Sequence, residues 1–291
     1  MNRIREGFLL VRNPFNAHQI KRVDLSPPAV DAIVFWTRNP RPLLKHLDEL
    51  DTRGYRYCFQ FTITGYTAVF EPFVPPVTEQ ISAFTELSRQ IGRKRVVWRF
   101  DPVILSDITT ESTIIKIFDH LARGLSGSTS RVVMSFIHLY KSVRRNMATV
   151  SRSQDVAFHD ESRTEEQARR IAKALAEIAK AHSIELTSCA ETLDLSAEGV
   201  THGACIDATL IREALGVAVT DRKDRYQREG CLCAESQDIG QYGTCTHGCI
   251  YCYASSNTIL ARRNRSLHDP NSPFLIDPHS FTAQNNALPI P

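Results

Sequence analysis

Short, continuous apolar runs alternate with helically spaced apolar residues through the first two thirds of the chain. Asp31-Ala32-Ile33-Val34-Phe35-Trp36 is the first run, ending at the turn Thr37-Arg38-Asn39-Pro40. Leu43, Leu44, Leu47 and Leu50 then recur at helical spacing. Tyr57 to Thr64 reads as a second strand closed by Gly65, and Gln80 to Ile91 as a helix with Ile81, Phe84, Leu87 and Ile91 on one face. Arg95 to Phe100 is a third strand, stopped by Asp101-Pro102. Ile114, Ile117, Phe118 and Leu121 mark another helix, and Arg131 to Ile137 a fourth strand. The clearest helix runs from Glu165 to His182, with Ala168, Ile171, Leu175 and Ile178 in one stripe, before a fifth strand at Ile184 to Cys189. Alternating strands and helices predict βαβ units and a parallel sheet with helices outside. Right-handed crossovers wind such a sheet into an open or closed barrel. The expected α/β architecture is a partial parallel (β/α) barrel of five to six strands over residues 1–191. The short sixth candidate lies at Phe8 to Arg12. A cysteine-rich, metal-binding extension over residues 192–291 would pack on the barrel, with short helices at Asp207 to Leu215 and Ala254 to Arg265 and a proline-rich, poorly ordered end.

In such folds the chemistry sits at the carboxyl ends of the strands. Those ends are polar here: Thr37, Arg38, Asn39, Gln60, Thr62, Arg99, Asp101, Ser135, His138, Cys189 and Glu191. Polar residues also simply mark where a strand meets solvent. Arginine within an apolar strand is costly unless paired, and the period of two puts Arg99 and Asp101 on one face. A buried ion pair lining a pocket follows. Arg99, Asp101 and Glu191 are therefore the candidate catalytic residues, and Thr37, Arg38, Asn39, Gln60 and Tyr251 the candidate cofactor contacts. The Arg99 fork matches two carboxylate oxygens; pairing with Asp101 for structure alone is the plainer alternative.

Composition narrows the field. The 291 residues are 42% hydrophobic and 23% charged, in the range of ordinary globular proteins. A net charge of +3 gives no general affinity for nucleic acid or membrane. Basic clusters at 93–95, 141–145, 222–228 and 262–265 read as solvated surface. No apolar run approaches bilayer length, and the first residues lack the apolar stretch of a signal peptide. A cytoplasmic location is expected, where eight cysteines would not form structural disulfides. Seven of the eight follow residue 185, which favours metal binding.

The densest stretch is Cys245-Thr246-His247-Gly248-Cys249-Ile250-Tyr251-Cys252-Tyr253. Cysteines at i, i+4 and i+7 can turn three thiolates around one cluster, with Gly248 letting the backbone pass close. Thiolates suit a [4Fe-4S] cluster, and three of them leave one iron open. Zinc is the alternative, with Cys249 and Cys252 as one pair and Cys231 and Cys233 as the other; free thiols are the third reading. Cys58, mid-strand, reads as a small buried hydrophobe. Cys189, Cys205, Cys231 and Cys233 then remain for a second site, an auxiliary [4Fe-4S] cluster or zinc. The simpler account has Cys231 or Cys233 completing the first cluster.

The triplet resembles the C-x3-C-x-aromatic-C signature of radical S-adenosylmethionine enzymes, with Tyr251 at the aromatic position. That resemblance implies that the open iron binds the amino and carboxylate groups of S-adenosylmethionine, whose reductive cleavage gives a 5′-deoxyadenosyl radical. The wider chain resembles the bacterial domain-of-unknown-function family 1848, whose members are sometimes loosely labelled DNA repair photolyases. The carrying segments are Val11 to Phe15, Val34 to Pro40, Phe59 to Thr62, Trp98 to Pro102, Cys189-Ala190-Glu191, His202 to Asp207 and Asp238 to Ala254. The family places its cluster after the barrel, and no Gly-Gly-Glu segment is present. Members open with a strand like Ser-x-Arg-Arg-Thr-Asp-Ile-Pro, and this chain begins beyond that point, so the strand at residues 31–36 is expected to have an uncovered side or one covered only by the N-terminal segment. The function expected is an iron–sulfur enzyme, radical or redox, acting on a small molecule or nucleic acid with an electron donor. A non-catalytic zinc- or cluster-stapled module and a DNA-repair-lyase-like enzyme are the alternatives.

Overall fold

An antiparallel pair, β1 (Phe8–Arg12) and β2 (Ile20–Asp24), stands apart from the main sheet. The main sheet has six parallel strands paired in chain order: β3 (Ile33–Thr37), β4 (Tyr57–Thr62), β5 (Val96–Val103), β6 (Arg131–Phe136), β7 (Glu185–Cys189) and β8 (Thr201–Gly203). The computed structural model describes residues 1–12, 19–228, 230–255 and 257–277. The proline-rich end of the tail and the segment Asn13-Pro14-Phe15 lie outside them. Helices are α1 (Asn2–Glu6), α2 (Arg41–Leu44), α3 (Leu47–Thr52), α4 (Val77–Ile91), α5 (Glu111–Leu125), α6 (Lys141–Gln154), α7 (Glu165–Ala181), α8 (Ala208–Leu215) and α9 (Thr258–Ser266). Side-chain oxygens of Thr110, Thr164, Asp207 and Asn257 cap α5, α7, α8 and α9. Among the described residues, no helix is long and apolar enough to cross a membrane.

Alternation along the strands divides two faces. Tyr57, Phe59 and Phe61 of β4, Val96, Trp98 and Phe100 of β5, and Val132, Met134 and Phe136 of β6 form one core with Phe84 of α4, Phe118 of α5 and Ile171 and Leu175 of α7. Trp98 stacks on Phe118 with ring centroids 4.8 Å apart. Cys58, Val97, Val133 and Cys189 face the other way, against Cys205, Leu210, Cys231 and Cys233. The sheet is thus covered on both faces, as a parallel sheet requires. Toward the carboxyl ends this inner face turns polar, through Gln60, Arg99, Asp101 and Ser135.

Four elements depart from the sequence pattern. The expected stop at Asp101-Pro102 does not occur: β5 continues to Val103, through a cis Asp101–Pro102 peptide. The β5–β6 register shifts between Phe100 and Val103, and that irregularity accommodates a residue with no N–H to donate. Phe8 to Arg12 is a strand, but it pairs with β2. The sixth strand of the main sheet is instead β8, beyond Glu191. It is three residues long, and Gly203 lies where an added Cβ would stand 3.0 Å from Thr187 Cβ. Finally, α6 arises from the 141–145 basic cluster; Val143 and Met147 are its buried anchors.

Candidate functional site

The loop Cys245 to Cys252 docks on residues 70–73, which follow β4. Ile250 N donates to Phe70 O (3.0 Å), and Phe73 N to His247 O (3.1 Å). Asn146 Nδ2 of α6 donates to Ile250 O at 3.2 Å. Gly248 is left-handed (φ 70°), and a Cβ there would come within 3.0 Å of Phe73 and 3.2 Å of Pro72. Glycine is therefore what lets this loop sit down. Cys249 is buried, Cys252 partly so, and Cys245 exposed. The three thiols interact electrostatically with one another and, for Cys249 and Cys252, with Arg38 at the end of β3.

Arg38 belongs to a buried network. Its Nη1 lies 3.0 Å from Glu71 Oε1, and the Glu71 side chain is only 2% exposed. Arg38 Nη2 donates to Tyr251 Oη, and Tyr251 Oη and Thr64 Oγ1 donate to Glu71 Oε1. Burial raises the Tyr251 phenol, keeping it a donor. Burial works against the Arg38 charge, but Tyr251, Glu71 and the two thiols outweigh it, so the guanidinium stays charged.

On the inner face, Arg99 pairs with Asp101, and Asp101 Oδ1 also accepts from Ser135. The other arm of the Arg99 fork points at Cys205 Sγ, and Gln60 Nε2 donates to Cys205 O at 2.8 Å. Glu191, buried, accepts from Phe136 N and Thr192 N, both at 3.2 Å. His138 leaves its Nε2 buried and unpartnered. Burial, then Arg228, holds this imidazole below its ordinary value, so it is neutral at pH 7. A run of rings, His138 to Tyr140 (6.3 Å) and Tyr140 to Tyr253 (5.6 Å), joins this face to the residue after Cys252.

The other four cysteines of the C-terminal third gather beneath Arg99. Cys205 Sγ lies 2.8 Å from Cys189 Sγ, and Cys233 is in hydrogen-bonding contact with Cys189, Cys205 and Cys231. Among the described residues, no group of three or more His, Cys, Asp or Glu side chains stands ready to hold a metal ion.

The structure therefore unites some expected site residues and separates others. Arg38 and Tyr251 meet beside the cysteine loop; Gln60, Arg99, Asp101 and Cys205 meet on the inner face. Thr37 and Asn39 are engaged locally: Thr37 Oγ1 accepts from Asn39 N, and Asn39 Oδ1 from Arg41 N, shaping the turn into α2. The zinc pairing of Cys231 and Cys233 with Cys249 and Cys252 is not formed, because the former pair packs against Cys189 and Cys205. The 93–95 cluster precedes β5 and the 141–145 cluster follows β6, at opposite ends of a parallel sheet, so they make no common basic stripe. Glu71 lies in a proline-containing connection with no periodic signal, and Thr64 showed only as the end of a strand. His138 stood out only as one more polar residue after a strand.

No curated protein and no solved structure matches the chain. The model of a domain of unknown function, DUF1848, matches residues 1–254, through the whole parallel sheet and the Cys245–Cys252 loop, and the chain belongs to that family.

Proposed function

We propose that the chain is an iron–sulfur enzyme of the radical type, its cluster held by Cys245, Cys249 and Cys252. The observation that supports this reading is the seating of that loop on the β4 connection, with Arg38 bonded to Tyr251 of the loop and interacting electrostatically with Cys249 and Cys252. Three thiols on one glycine-relieved loop fit a three-ligand cluster. When bound, such a cluster supplies single electrons and an open iron for the amino and carboxylate groups of S-adenosylmethionine. The protein's own residues have separable tasks. Arg38 offsets the negative charge of the thiolates. Glu71, Thr64 and Tyr251 fix the loop. Arg99, its fork committed to Cys205 and Asp101, is a positioning residue. His138 Nε2 is the group left to take or give a proton at the inner face.

The test is anaerobic reconstitution with iron and sulfide, then reduction with dithionite in the presence of S-adenosylmethionine. About four irons per chain at this loop and formation of 5′-deoxyadenosine are expected. Both the irons held by this loop and the 5′-deoxyadenosine should be lost in the Cys245→Ala, Cys249→Ala, Cys252→Ala triple variant. Formation of 5′-deoxyadenosine by the triple variant would overturn the assignment. A second reading, a non-catalytic stapled module, is favoured by the internal commitment of both arginine forks; a cluster that never yields 5′-deoxyadenosine would select it.

A further inference from the structure

We infer that Cys189, Cys205, Cys231 and Cys233 form a second metal site, separate from the Cys245–Cys252 loop, that takes one tetrahedral thiophilic ion of the zinc class. These residues come from three distant segments: the end of β7, the turn after β8, and the loop that follows α8. All four are buried in one cluster on the inner face. A 2.8 Å approach of Cys205 Sγ to Cys189 Sγ lies well inside ordinary non-bonded sulfur contact. It is also too long for a disulfide, whose sulfurs stand about 2.05 Å apart. Cys233 touches the other three. Neither packing nor a disulfide accounts for such a group, whereas four thiolates are the donor set of a closed structural site.

The size of the group selects the ion. Metal–sulfur bonds of about 2.3 Å put the sulfurs of a tetrahedron about 3.8 Å apart. Cys189 and Cys205 need to part by only about 1 Å from their present contact to reach that spacing. A four-iron cube would require them to spread much further, through the β-strand residues Cys58, Val97 and Val133 that wall the cluster. Outer partners are already in place: Ile206 N donates to Cys233 Sγ and Cys233 N to Cys231 Sγ, each at 3.4 Å, and Arg99 faces Cys205. Arg99 brings a positive charge to balance a four-thiolate site. The loop geometry also serves this convergence. Ala190, next to Cys189, holds a left-handed conformation (φ 52°) that is costly for a residue with a side chain. Gly230, next to Cys231, packs against the Ala190 backbone, where an added Cβ would make ordinary van der Waals contact at 3.5 Å. His202 reaches Gly230 O at 3.0 Å, tying the loop to β8.

The experiment uses the full chain carrying Cys245→Ala, Cys249→Ala and Cys252→Ala, stripped of metal under reducing conditions and titrated with cobalt(II), then zinc. One cobalt per chain, with thiolate charge-transfer and tetrahedral ligand-field bands displaced by one zinc, is the expected result. Adding Cys231→Ser to that chain should change the cobalt spectrum and reduce occupancy at least tenfold, whereas Cys58→Ser should change neither. Circular dichroism of both added variants shows whether they remain folded. The titration itself does not depend on either added substitution. Absence of thiolate charge transfer in the folded parent overturns the site. So does a mass two units low with a Cys189–Cys205 disulfide, and so does a stable multi-iron cluster in place of one ion. None of these outcomes bears on the Cys245–Cys252 loop, which is missing from the protein tested.

Discussion

At the scale of single residues, the least replaceable contact is the one beneath the cysteine loop. Glu71 sits in a nearly dry position where Arg38, Tyr251 and Thr64 all address it. Removing one partner of such a pair leaves an uncompensated buried charge. Arg38→Ala is expected to cost about 3–5 kcal/mol in urea unfolding. Adding Glu71→Gln should restore a good part of it; a single variant within about 0.5 kcal/mol of the parent would show the charge to be solvated. Asp160 behaves oppositely. Burial pushes its carboxyl up to about 6, outweighing the hydrogen bond from Leu105 N. The folded state therefore holds the proton longer than the unfolded chain, whose aspartates titrate near about 3.9. Whatever stability this group allows is fully present below about pH 4 and lost as pH rises through about 6, at most about 2–3 kcal/mol. Asp160→Asn should flatten that slope and stabilise the protein at pH 7 by about 1–2 kcal/mol in unfolding at pH 5 and 7. An unchanged slope would remove Asp160 from the pH dependence.

At the scale of elements, the segment from Ala204 to Ala234 acts as a plug on the inner face. Gln60 holds Cys205 O, Arg99 holds its sulfur, Arg131 holds Asp207 (2.5 Å), and Ala234 N returns to Ile206 O (2.9 Å). Gln60→Leu removes one buried hydrogen bond, worth about 1–1.5 kcal/mol. Amide exchange over residues 205–211 should quicken about tenfold while α5 is unchanged. Equal acceleration in both would mean global destabilisation instead. The elements legible in the sequence were those with dense periodicity, β3 through β7, α4, α5 and α7, together with the short helix α8. Those missed had little to show. Two buried residues, Val143 and Met147, are too few to announce α6 among so many basic neighbours. Three residues cannot announce β8 at all. Asp101-Pro102 signals a stop, and only the shifted β5–β6 register reverses that signal.

At the scale of the whole molecule, the cysteines stood out by residue type and their grouping only partly by spacing. Cys245, Cys249 and Cys252 are neighbours in sequence and remain so in space. The remaining four could be assembled in sequence only by elimination, and it took the return of the chain across the inner face to bring them together. Thr37 and Asn39 illustrate that a strand end is polar for two reasons, since both hold the local turn. The sequential strand order has a further consequence, in time rather than space. Each parallel strand pairs with its predecessor, so the sheet can be assembled as the chain leaves the ribosome, N-terminal parts first. Six of the seven clustered cysteines are translated after the last residue of β8. A nascent chain halted before Cys205 carries a finished scaffold with one lone thiol from these groups, so synthesis itself defers the assembly of both cysteine groups until the scaffold they pack against exists.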